Sequence, residues 1–398
     1  MGSFLNRHLD FKRHNEEVDR VWAAFRRGEP YRVPVTVAGS IRNLFGNPEI
    51  NRTGYTFEDF FNDPKAHLEC QLAYRKWVNY NLLCDAKLGP PEAGWPVTVD
   101  FQNSYEAMWF GCPLRCDGNQ VPDTQPILQA EKKRLYDLEP PDPLRGNRLG
   151  RAMDFFEYLQ AECPKREFEG RPVRPPESIP GEGTDGPFSI AYKLRGAAEA
   201  CLDICEDPQY FHDLMNFVTE NSIRRMKAIR QWRWARNPAA ADRGRFQRPG
   251  YFFADDAIAL ISARQYREFV FPYHKRLVEA FSDGGPVGIH LCGDATRHFK
   301  FLKENLNVRT FDTGFPVDFG GLRRELGPEV QINGGPTVML LKDGSPEEVR
   351  DEVRRICRSG IMEGGRFVLR EANNLAPATP VENVAAMYEA GREFGRYG

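Results

Sequence analysis

No apolar run in this 398-residue chain approaches the roughly 18 residues that a membrane-spanning helix requires. The opening Met1-Gly2-Ser3-Phe4-Leu5-Asn6 has no apolar core of a secretory signal. Gly2 sits where a myristoylated glycine would, but Asn6 occupies a position that needs Ser or Thr. An excess of one charge is also missing. The 54 basic and 56 acidic residues leave a net charge of −2, so no overall field points to nucleic acid. Cysteines are few and odd in number, 9 along the chain, which does not suit a secreted disulfide framework and points to reduced thiols. There is no internal repeat and no low-complexity tract. These absences together point to a soluble cytoplasmic protein.

What is present is an ordinary globular balance of 41% hydrophobic and 28% charged residues. Aromatics are slightly abundant, with 28 Phe, which suits a large core or an aromatic-lined pocket. Short apolar runs alternate with amphipathic helices. Val33–Val37 reads as a first strand after a helix over 16–27 that Gly28 ends, and a second helix is expected over 63–81. Residues 90–187 are irregular and proline-rich, and read as an elaboration over or beside the main fold. After them the alternation is regular, with strands expected at 188–191, 251–254, 287–291, 308–311, 330–332 and 367–369. Ser262 with Gln265 forms a capping-box pattern, and Ser345-Pro346 and Thr379-Pro380 mark further helix starts. The expectation is an α/β fold with a parallel sheet, open or closed into a barrel, spanning 1–398 as a single domain.

Polar residues gather where these strands end. Asp255 and Asp256 follow the strand at 251–254, and His290, Cys292 and Asp294 close the one at 287–291. Asp312 follows 308–311, Gly334 follows 330–332, and Glu371, Asn373 and Asn374 follow 367–369. In a parallel barrel all C-terminal strand ends open on one face, where catalysis sits. His290 and Cys292, two apart, point to the same side, and an imidazole with a thiolate suits zinc. The competing reading is a hydrogen-bonded core histidine beside a buried small cysteine. Cys112 with Cys116, and Cys201 with Cys205, read as core residues. Arg224–Lys227 and Arg230–Arg236 read as a solvated helix face, or as a dock for an acidic partner. His274 and His298 read as structural, and Gly334-Gly335 as a place of close backbone approach.

Several of these segments together resemble the superfamily of uroporphyrinogen decarboxylases and corrinoid-dependent methyltransferases. They are Tyr251-Phe252-Phe253-Ala254-Asp255-Asp256, Phe271-Pro272-Tyr273-His274, Gly288-Ile289-His290-Leu291-Cys292-Gly293-Asp294, Ile332-Asn333-Gly334-Gly335 and Thr379-Pro380-Val381-Glu382-Asn383. Arg32-Val33-Pro34-Val35 and Phe110-Gly111-Cys112 extend the likeness to the N-terminal half. The resemblance implies a (β/α)8 TIM barrel, here with a large irregular insertion in the N-terminal half. The Arg-Gln-Ala-Gly-Arg segment of the porphyrin decarboxylases is missing, so the methyltransferase branch is the nearer one.

In that branch His-x-Cys and a later Cys bind zinc. His290 and Cys292 match the pair, but Asn373 stands at the third position. Glu371, with Asp312 as a further oxygen donor, is the expected substitute; the alternative is that zinc is simply lost. Replacing a thiolate by a carboxylate gives a harder zinc, better suited to polarising a leaving group than to holding a thiol. The implied function is a zinc-dependent methyltransferase that demethylates a small O- or N-methylated compound, first an aryl methyl ether, and passes the methyl group to a corrinoid (cobalamin) protein. Asp255, Asp256 and Glu371 would position substrate or manage its proton, and Asp294, Asp312, Asn373 and Gly334 would contact the cofactors. The corrinoid has to come on a partner, because Gly288 replaces the Asp of the cobalt-binding Asp-x-His-x-x-Gly pattern. The alternatives are a decarboxylase of an acidic substrate and a non-catalytic barrel that binds a tetrapyrrole or a protein.

Overall fold

A computed structural model describes residues 9–117, 120–147 and 150–398. Gly2 and Asn6 lie outside them. Among the described residues, no helix is long and apolar enough to cross a membrane, and no disulfide is formed.

The strands Tyr251–Ala254, Val287–Leu291, Val308–Thr313, Gln331–Gly334 and Phe367–Leu369 pair in parallel in that order. Helices return the chain between them, among them Phe271–Phe281, Phe299–Leu306, Phe319–Leu326 and Pro346–Cys357. The register sets Phe253, Ile289, Phe311, Ile332 and Phe367 side by side, all buried. These side chains face the helices: Phe311 stacks on Phe299 at 4.5 Å and Phe367 meets Phe319 edge-on at 5.9 Å. Because successive strand residues point to opposite faces, the next row is turned to the other side of the sheet. That row is Ala254, His290, Asp312, Asn333 and Val368.

The segment 33–37, expected as a strand, forms no ladder but an isolated bridge at one edge, Val35 beside Leu369, where Thr36 N–H donates to Leu369 O (2.9 Å). At the other edge Asp185 lies parallel to Ala254. Among the described residues no ladder joins these two edges. Trp95–Pro96 instead pairs with Arg171–Arg174 in a small separate sheet. The expected parallel sheet is there, and its hydrogen bonds form an arc without closing a ring.

Three further expectations are corrected. The segment 188–191 is no strand but part of the helix Pro187–Arg195. Its start is held from outside, since the fully buried Asp255 accepts from Phe188 N–H (3.1 Å), Ser189 N–H (2.8 Å) and Ser189 Oγ (2.8 Å). A carboxylate on the free N–H groups of a first turn offsets both their lost bonds and the helix dipole. The basic helix face is not simply solvated. In the helix Pro208–Arg236, Arg225 is 0% exposed, lies 3.7 Å from Glu106 and packs over the Tyr105 and Trp109 rings. Arg230 covers Phe281 and donates to the Phe246 and Glu182 carbonyls. Finally, Cys112 is buried as expected, but Cys205 is exposed and the other two cysteines are half-buried.

Of the other helix signals, Thr379-Pro380 marks its start one residue early, since the helix Val381–Phe394 begins after Pro380 with no side-chain cap; the rest agree with the structure. Asp63 caps Pro64–Asn81, and the capping boxes at Ser262 and Ser345 both form. His274 donates to Asp255 (2.7 Å) and His298 contacts Ile258 O (2.9 Å), so both serve the core.

Removing the Asp255 carboxylate strands His274 and the first turn of Pro187–Arg195. Asp255→Ala is expected to cost about 3–5 kcal/mol, read as a lower urea midpoint with an unchanged slope.

Candidate functional site

The register dictates the first contact at the C-terminal strand ends. His290 and Asp312 are direct cross-strand neighbours, and His290 Nδ1 lies 2.8 Å from Asp312 Oδ2. A carboxylate there accepts, so Nδ1 carries the proton and Nε2 keeps its lone pair. Nε2 lies 3.2 Å from Cys292 Sγ and 4.0 Å from Asp256 Oδ1. Asp256 Oδ1 in turn accepts from the Cys292 N–H at 2.7 Å. One nitrogen, one sulfur and one carboxylate oxygen thus lie within 4.8 Å of one another. The loop that carries Cys292 packs on Gly314, where a Cβ would come within 2.9 Å of the Cys292 Cα.

This donor set fits a zinc ion with an open coordination position. A carboxylate on the far nitrogen of the histidine is the usual support for such a ligand. Electrostatics agree. Burial, and then the charge of Asp256, push the Cys292 thiol up. Burial pulls the His290 imidazole down, but the hydrogen bond and charge of Asp312 outweigh it and raise its pKa. A divalent cation reverses both, because a coordinated thiol is deprotonated and an imidazole ligand is neutral.

The remaining candidates are placed as follows. Asp255, next to Asp256 in sequence, is turned into the core, and its oxygens are spent on Pro187–Arg195 and His274. Glu371 is not brought to the donor group. Its Oε1 accepts from Ala38 N–H (2.8 Å) and from Arg370 (3.2 Å), while Oε2 is buried without a partner among the described residues. Burial outweighs Arg370 and raises the Glu371 carboxyl to about 7. Asn373 also lies outside the donor group. It holds a left-handed backbone (φ 89°), and its side chain accepts from the following N–H at 2.8 Å. Asp294 is exposed and starts a helical turn by accepting from Thr296. Gly334 is buried against Thr313 and Phe319, so close packing accounts for it.

Two residues escaped the sequence reading. Arg370 ties the mouth together, donating to Asp312 (2.7 Å), Glu371 and the Asn373 carbonyl. Asp185 continues the His290–Asp312 row through its pairing with Ala254, and burial and then Glu106 raise its carboxyl to about 7. The cue for Asp185 was faint, a single acid in the irregular Gly183-Thr184-Asp185-Gly186.

The loop after Val35 and Asn374, beyond the strand Phe367–Leu369, border a cavity of about 580 Å³. Ala38, bonded to Glu371, lines it, as do Asn374, the loop 98–103 and Pro180. The irregular segment contributes residues 98–103, Tyr105 and Pro180 to the wall, and the helix Pro64–Asn81 and the loop 37–41 contribute the rest but for Asn374.

A family model described as "Uroporphyrinogen decarboxylase (URO-D)" matches residues 16–232 and 250–394. The chain is 25% identical over 336 residues to a methylated-thiol--coenzyme M methyltransferase of Methanosarcina mazei, covering 83% of this chain and 79% of the relative. It is 22% identical over 319 residues to the methylcobamide:CoM methyltransferase MtbA of Methanosarcina acetivorans, covering 75% and 79%. Among solved structures, a methyltransferase from Methanosarcina mazei shares the fold with a TM-score of 0.61 and 16% identity, covering 95% of this chain and 98% of that one.

A carboxyl whose folded pKa lies above its ordinary 4.5 favours folding while protonated and loses that contribution as pH rises. For Glu371 the loss falls between about 4.5 and about 7. Relative to wild type, Glu371→Gln is therefore expected to gain stability across that window and to level off above it, as chemical unfolding at a series of pH values would show.

Proposed function

For this chain, a member of the uroporphyrinogen decarboxylase family, we propose methyl transfer: removal of a methyl group from a small O- or N-methylated compound and its delivery to a corrinoid protein. The observation that carries the proposal is the convergence of His290, Cys292 and Asp256 over a histidine already oriented by Asp312. The names of two relatives, a methylated-thiol--coenzyme M and a methylcobamide:CoM methyltransferase, support methyl transfer as the class of reaction. Bound zinc would supply Lewis acidity at the leaving heteroatom, and the corrinoid of a partner protein would receive the methyl group.

The roles left to the chain itself follow from the contacts. His290 Nε2, Cys292 Sγ and an Asp256 oxygen hold the metal. Asp312 keeps the proton on Nδ1 and fixes the ring, and Arg370 fixes Asp312 in turn. Glu371 acts through Arg370 and the Ala38 amide as a positioning residue. A single sulfur in the donor set leaves a harder metal than two would, which favours an aryl methyl ether over a thiol as the reacting partner.

Zinc content is the direct test. His290→Ala and Cys292→Ala are each expected to lose most bound zinc with the fold retained, Asp256→Ala to lose part of it, and Asn373→Ala to keep it. Full zinc in both of the first two variants, or none in wild type, overturns the site.

The reaction is tested separately. Wild type with a reduced corrinoid and a panel of methyl ethers and methylamines should form methylcobalamin, seen by its absorbance. Rapid methylation of simple thiols from methylcobalamin, with no donor in the panel accepted, would sink the proposed direction. Carbon dioxide release from an acidic substrate would favour the decarboxylase reading.

A further inference from the structure

Among the described residues, the wall of this cavity has one charged group without a partner. The wall combines Tyr74, Arg75, Asp100 and Phe101 with apolar Val37 and Val78. Most of its hydrogen-bonding groups are committed within the protein. Gln71 exchanges bonds with Thr98, the Tyr74 hydroxyl reaches Asn43 (3.3 Å), and Asn79 donates to Gly89 O (3.0 Å). Asp100 spends one oxygen on the Gln102 N–H (2.8 Å) and the other on the Gln102 amide (2.5 Å). Arg75 differs. Among the described residues its guanidinium donates no hydrogen bond and forms no ion pair, although burial works against its charge and Asp100 lies within electrostatic range.

Arg75 lines the cavity with no partner among the described residues, so its five donors are free, and their planar fork matches a carboxylate in two-point contact. A cavity of about 580 Å³ is in the usual size range for a small-molecule site. The rings of Tyr74, Phe101 and Tyr105 on the wall suit a flat apolar body. The cavity wall is linked to the donor group by hydrogen bonds, from Ala38 through Glu371, Arg370 and Asp312 to His290.

We propose that this cavity is the binding site for a small aromatic carboxylate, with Arg75 as the residue that selects the acid. The inference deepens the methyl-transfer reading by naming the class of methyl donor. It rests on that reading for what happens to the ligand, but not for its binding.

The test therefore measures binding alone, without corrinoid, on the full chain. Isothermal titration compares 4-methoxybenzoate with its neutral isostere 4-methoxybenzamide. Wild type is expected to prefer the acid by about tenfold or more, as a charged hydrogen-bonded pair implies. Arg75→Gln should reduce the preference to within about twofold, and Arg75→Lys should restore part of it. Because Arg75 makes no hydrogen bond or ion pair among the described residues, the melting temperature of Arg75→Gln should be unchanged, whereas loss of a structural arginine would lower it. Equal affinity for acid and amide in wild type, an unchanged preference in Arg75→Gln, or no binding of either compound overturns the assignment. Binding that follows the prediction in a protein that transfers no methyl group would instead count against the reaction and leave the site in place.

Discussion

The parallel register between Val287–Leu291 and Val308–Thr313 sets His290 directly beside Asp312, and the chemistry of the mouth depends on it. A shift of one residue would turn His290 toward the helices and bring Ile289 into the mouth. The register is itself secured by the neighbouring row, where Ile289, Phe311 and Ile332 are fully buried against the helical layer. Burial of that row amounts to roughly 1.5–3 kcal/mol per side chain. The apolar row thus fixes the polar one, and the His290–Asp312 pair is aligned by packing rather than by its own attraction.

Buried charge is treated in two ways in this molecule. Asp255 and Arg323 are closed off: the first is satisfied by a helix start and a histidine, the second by the carbonyls of Ile361, Gly327 and Val330. Such groups hold elements together and have no capacity left for a ligand. Around the mouth the accounts stay open. One oxygen each of Asp312 and Glu371 is buried without a partner among the described residues. Unmet hydrogen-bonding capacity inside a protein is costly and is therefore informative about function.

The sequence made the strand ends legible because the period of two and the placing of polar residues after apolar runs are local features. His290, Cys292 and Asp256 were all within reach of that reasoning. What it could not do was separate Asp256 from Asp255, or assign Glu371. Adjacent residues at a strand end point in opposite directions, and only the path of the following backbone decides which one reaches the mouth. Asp255 was claimed by a helix that the sequence disguised as a strand, since Phe188-Ser189-Ile190-Ala191 is apolar enough for either. Arg225 was hidden for a related reason. Within Arg224-Arg225-Met226-Lys227 the local pattern reads as a solvated face, and its burial comes from Glu106, Tyr105 and Trp109, more than a hundred positions earlier in the chain. Arg75 could not be read at all, because an arginine on an amphipathic helix is ordinarily a surface residue.

The two halves of the chain carry different parts of the task. The regular C-terminal half supplies the candidate metal donors from strand ends, where the sheet holds each side chain to a fixed spacing. The cavity wall comes almost wholly from the N-terminal half: the loop after Val35, one face of Pro64–Asn81, and the 98–105 loop of the irregular segment. Loops tolerate insertion and substitution far better than a packed parallel sheet does. A division of this kind lets the bound substrate change while the reacting geometry stays as it is. Binding selectivity should accordingly follow residues before 180, and metal affinity residues after 250. Arg370 connects the two halves, since its guanidinium reaches Asp312 on the metal side and Glu371, which holds Ala38, on the cavity side. Occupancy of the cavity that displaced the Ala38 loop would be felt at His290 through only three side chains, a path short enough for substrate binding to adjust the orientation of the metal ligand.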